Sequence, residues 1–141
     1  RAESGFALMS YPMNAPVEMH DAISYRFEGG AIGSVSGGSA HAKAHKTYHA
    51  LELRAIGSDG QILLDLERAA VWLYYKGENI RLDLDDDAGY YNCQGPIDAL
   101  VAAGKGQKFR NYSPGELGAR SVEALDIAYR SAASGKLEHR L

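Results

Sequence analysis

The chain has 141 residues, 45% of them hydrophobic and 23% charged, with a formal net charge of −3. That is one domain of ordinary globular composition, long enough to bury a core without disulfides or a metal. The charge balance excludes the basic footprint of a nucleic-acid binder and a polybasic membrane patch, no apolar run approaches the roughly 20 residues of a membrane span, and a lone cysteine, Cys93, excludes an internal disulfide.

To about residue 85 the periodicity is that of strands. In "DAISYRF", Ile23, Tyr25 and Phe27 share one face and Ser24 and Arg26 the other. Gly29-Gly30 then predicts a hairpin turn, because both glycines tolerate positive φ. "AIGSVSGGSA" returns as a strand of small residues. "HALELRAIG" alternates again, with Leu51, Leu53 and Ala55 opposite Glu52, Arg54 and Ile56, and "GSDG" (57–60) is a tight turn. "QILLDLE" groups Ile62, Leu64 and Leu66. "AVWLYYK" is apolar on both faces, the mark of an inner strand. "GEN" (77–79) is expected to turn the chain, after which Ile80, Leu82 and Leu84 oppose Arg81, Asp83 and Asp85. Strands joined so closely are antiparallel neighbours.

The remainder reads as helical. Pro96 stands at a first helical position, Ile97, Leu100 and Val101 form an i, i+3, i+4 stripe, and Gly104 and Gly106 end the helix. Ser113 is the expected N-cap of the next helix, with Pro114 first and Glu116 completing a capping box. Leu117, Ala124, Leu125, Ala128 and Ala132 share its apolar face, and Gly135 is its stop. The fold class expected is therefore α+β, an open, mainly antiparallel sheet with helices packed on one face in two layers, as one domain over 1–141. Val71, Leu73 and Tyr75 alternate with Trp72 and Tyr74, and both sets cannot face helices. A second copy on the open face is the expected partner.

Chemistry is sparse. His41, His45 and His49 recur every fourth residue, yet they follow a strand and Lys43 and Lys46 interrupt them. A polar loop that reaches a ligand explains them better than zinc, so no metal site is assigned. The acidic run at 83–89 lacks the EF-hand glycine and glutamate, since Ala88 and Gln94 fill those places; it reads as a solvated turn. There is no dinucleotide G-x-G-x-x-G, P-loop or G-x-S-x-G elbow, and Cys93 reads as an unreactive thiol. Arg1 stands where a start methionine is expected and no signal-peptide pattern follows, so the chain reads as processed or cut from something longer. One cysteine fits a reducing compartment, and a cytoplasmic location is expected.

Three segments, "DAISYRFEGGAIGSVSGGSA", "LELRAIGSDGQILLD" and "GPIDALVAAGKGQKFRNYSPGELGARSVEALDIAYRSAASGK", resemble the C-terminal half of the Gfo/Idh/MocA oxidoreductases, from about residue 17 to the end. The resemblance implies a substrate and oligomerisation domain whose parent carries an N-terminal Rossmann domain for NAD or NADP and acts on a sugar, cyclitol or related polyol. The family's glycine-rich cofactor motif and its Glu-Lys-Pro motif have no counterpart here, and His20-Asp21 opens a strand, unlike the family's helical Asp and His pair. No catalytic or cofactor-binding residue is carried over, and the isolated chain is expected to bind no nicotinamide. Substrate contacts are expected from His41, His45, Tyr48 and His49, and from Tyr90, Tyr91 and Asn92. The partners expected are a second copy, the Rossmann domain and a small-molecule substrate, with neither nucleic acid nor membrane. The other reading that the residues leave open is a non-enzymatic dimeric module that binds a small ligand or a partner.

Overall fold

The structure, a computed structural model, describes residues 1–38, 51–66, 69–85 and 94–141. In chain order these form β1 (Ala2–Ser10), β2 (His20–Phe27), β3 (Ile32–Gly38), β4 (Glu52–Gly57), β5 (Gly60–Asp65), β6 (Ala70–Tyr75), β7 (Glu78–Asp83), α1 (Gln94–Gly104), α2 (Gly115–Ser134) and β8 (Glu138–His139). The chain divides into two compact units, one of Arg1–His41 with Asp98–Leu141 and one of Ala42–Ile97. The fold is α+β with antiparallel strand pairs throughout the described residues, as the alternation predicts. The strands fall into two sheets, ordered β3-β2-β1-β8 and β4-β5-β6-β7.

The first sheet is built on a strand that the sequence pattern conceals. β1 lies between β2 and β8, with a register irregularity between Ala2 and Ser4. Past that irregularity Gly5 pairs with Tyr25 and Ala7 with Ile23, so β1 offers its smallest side chains beside the largest of β2. Close approach explains Gly5: a Cβ there would lie 2.8 Å from Tyr25 Cδ1 and 3.1 Å from Ile127 Cγ2. The hairpin at Gly29-Gly30 forms as expected, with φ of 82° and 85°, and sets Arg26 opposite Ile32.

Against this face lies α2. Ile127, Ala128 and Ser131 are buried, and Ala124 and Ala132 pack beside them. The buried stripe is thus i, i+3, i+4, i+7, i+8 from Ala124. The expected face is corrected in two places, since Leu117 and Leu125 are about half exposed, at 50% and 48%. Ile127 meets Ala7, Ile23 and Tyr25, a burial that contributes about 2–3 kcal/mol. Ser131 is the polar member. β8 pairs only with Ser4 and Gly5, so among the described residues no strand lies beside the edge of β1 beyond. There the Ala7 N–H donates to Ser131 Oγ at 3.0 Å, and Ser131 Oγ donates to the Lys136 carbonyl at 2.6 Å. The Tyr25 hydroxyl likewise donates to the Ala124 carbonyl at 2.8 Å.

The helix ends follow from their local chemistry. Gly135 stops α2 as expected, in the left-handed region with its N–H on the Ser131 carbonyl. The start differs from expectation by one residue. Pro114, not Ser113, holds the N-cap position, and its carbonyl accepts from Leu117 and Gly118. No side chain caps the helix; the Ser113 N–H donates to Asn111 Oδ1 instead. The α1 stop is a Schellman motif: Gly106 donates to the Ala103 carbonyl and Gln107 to that of Ala102. No residue of α1 is buried, and Ile97, Leu100 and Val101 are about half exposed or more.

In the second sheet the register stacks two aliphatic rows, Leu53-Leu64-Val71-Leu82 and Ala55-Ile62-Leu73-Ile80. Trp72 and Tyr74 point to the other face, where Arg81 covers the Trp72 ring at 5.2 Å and pairs with Asp83 at 2.7 Å. The turn into β7 sits at Lys76-Gly77, one residue earlier than expected, with φ of 50° and 79° as a two-residue hairpin of this hand requires. Among the buried hydrophobic residues of the described chain, only Ala70 belongs to this unit.

Candidate functional site

The seven residues expected to contact substrate lie outside the described residues: His41, His45, Tyr48 and His49 in 39–50, and Tyr90, Tyr91 and Asn92 in 86–93. Cys93 falls there too. The described structure supplies the scaffold from which the first of these segments departs. β3 ends at Gly38, which pairs with His20; His20 pairs in turn with Ser10.

At this end of the first sheet the described residues bring together acids and phenols that the sequence reading did not single out. Glu18, in the connection before β2, accepts a hydrogen bond from the Tyr129 hydroxyl of α2 at 2.6 Å. That bond holds the Glu18 carboxyl below its ordinary value and pushes the Tyr129 phenol up. Asp21 lies on the inner face of β2, two residues before Ile23, between Met9 of β1 and Gly37 of β3. Its Oδ1 is buried and has no hydrogen-bond partner among the described residues. Gly37 leaves it room, since a Cβ at 37 would lie 3.3 Å from Asp21 Oδ2. Burial pushes the Tyr25 phenol above its ordinary 10.0, and the Asp21 charge adds to the shift.

An unpaired buried carboxylate oxygen is a costly feature that a hydroxyl or a water relieves. The arrangement therefore suits a group that donates to Asp21, since the Tyr129 and Tyr25 hydroxyls already donate to Glu18 and to the Ala124 carbonyl. A signal for Asp21 was present in the sequence. The alternation that turns Ile23, Tyr25 and Phe27 inward turns Asp21 inward as well. Nothing comparable marks Glu18 or Tyr129, which are 111 residues apart.

Among the described residues no group of three or more His, Cys, Asp or Glu could hold a metal ion. Nor does any strand there pass through a glycine-rich turn directly into a helix, the cradle a dinucleotide pyrophosphate requires. No helix among them is long and apolar enough to cross a membrane.

No protein-family model matches the sequence, and no curated protein matches it. Solved structures do match the fold. An oxidoreductase domain protein from Kribbella flavida aligns with a TM-score of 0.76 at 15% identity, over 100% of this chain and 45% of its own. An aldose-aldose oxidoreductase from Caulobacter crescentus, solved with glycerol, aligns at 0.71 and 15% identity over 99% and 41%. An inositol dehydrogenase homologue from Azotobacter vinelandii, complexed with NADH and myo-inositol, aligns at 0.68 and 18% identity over 99% and 44%. The whole chain thus has the fold of one part of these oxidoreductases. It spans less than half the length of each.

Proposed function

We propose that this chain is the C-terminal, substrate-side and oligomerisation domain of an NAD- or NADP-dependent oxidoreductase of the Gfo/Idh/MocA type, one that acts on a sugar, cyclitol or related polyol. The observation that carries the reading is the alignment of 98–100% of the chain with 43–46% of oxidoreductases that include NAD-binding and inositol-bound examples. The unmatched part of such a protein has room for a Rossmann domain, and the described residues here hold no cradle for the cofactor. Hydride chemistry belongs to the whole protein in this reading, with the cofactor held by its other domain.

The chain's own share is binding and assembly. His41, His45, Tyr48, His49, Tyr90, Tyr91 and Asn92 supply donors and acceptors for hydroxyl groups. The two aliphatic rows of the second sheet form the face on which a second copy packs, because Leu53, Ile62, Ile80 and Leu82 are 40–55% exposed there. A cytoplasmic location accords with this reading.

Paired titrations test it. The full-length protein is expected to bind NADH or NADPH and to oxidise at least one member of a polyol panel, whereas residues 1–141 alone leave nicotinamide fluorescence unchanged. Tight NADH binding by the 141-residue chain overturns the assignment. So does a reading frame upstream of Arg1 without a strand, a glycine-rich turn and a later Glu-Lys-Pro.

A further inference from the structure

We draw no further inference here: the strongest candidate, the side-chain cluster of Glu18, Asp21 and Tyr129 where β2 begins beneath α2, belongs to the site already described, and its Asp21 Oδ1 lacks a donor only among the described residues.

Discussion

The two sheets obey the same period of two and bury very different amounts. In the first, β1 and β2 turn Ala7, Ile23 and Tyr25 onto α2, and each is at most 8% exposed. In the second, the alternation is cleaner to the eye, yet Leu53 and Leu82 of its aliphatic rows are each 55% exposed. Amphipathic alternation states which way side chains point; it does not state what covers them. The cover is decided by an element distant in sequence, here α2, whose small residues let it approach β1. The second sheet keeps a surface of the kind that oligomers bury.

The largest effect that separates the two regions is expected from truncating one apolar residue in each. Ile127→Ala should cost about 3–4 kcal/mol, because the cavity opens among Ala7, Ile23 and Tyr25 with no way to collapse. Leu82→Ala should cost less than about 1 kcal/mol in dilute monomer, and more only where copies associate. Urea unfolding at two protein concentrations measures both. Equal costs at low concentration would mean that the second sheet has a core of its own.

Ser131→Ala comes next. It removes one acceptor and one donor at once and leaves the Ala7 N–H and the Lys136 carbonyl without their partner. A loss of about 2 kcal/mol is expected, with faster hydrogen exchange at Ala7 than at its neighbours in β1. Tyr25→Phe is milder, about 1 kcal/mol, because only the bond to the Ala124 carbonyl goes and the ring stays in place. If Ser131→Ala costs no more than Tyr25→Phe, the hydroxyl bridge is not what joins α2 to the strand edge.

Which parts were legible follows from these same particulars. The inward set of β2, the Gly29-Gly30 hairpin, the Gly135 stop and all four strands of the second sheet rest on rules of one or two residues, and they were readable. β1 was not. Its inner residues are Ala2, Gly5, Ala7 and Met9, and the irregularity after Ala2 turns the first spacing from two into three. Ser131 was hidden because its role is set by a gap in strand pairing more than 120 residues away. The cap at Ser113 failed for a local reason: Asn111 takes its backbone donor and Pro114 keeps extended dihedrals. The expected substrate loops fall outside the described residues. The polar group at Asp21 was half legible, for an acid in register with Ile23 and Tyr25 is already an anomaly on an inward face.

The smallest expected effect concerns charge, and it separates the sheets by the reach of their ion pairs. In the second sheet, Arg54 with Glu52 and Arg81 with Asp83 join neighbours on one strand. In the first, Arg140 joins Glu28 at 2.7 Å across 112 residues and so ties the strand after α2 to the β2–β3 hairpin. The Arg140 hydrogen bond holds the Glu28 carboxyl below its ordinary 4.5. A carboxyl so depressed contributes stability that is complete above the ordinary value and lost as pH falls through the lowered one. Acidification from about pH 6 to about pH 3 should therefore weaken the native chain more than Arg140→Met, which has no such bond to lose. The gap between the two should narrow steadily below the ordinary value and be modest throughout, because both side chains are partly in solvent. Thermal melts across that range measure it, and a gap that stays constant with pH would mean that Arg140 acts through its contact with the Ala2 carbonyl, not through Glu28.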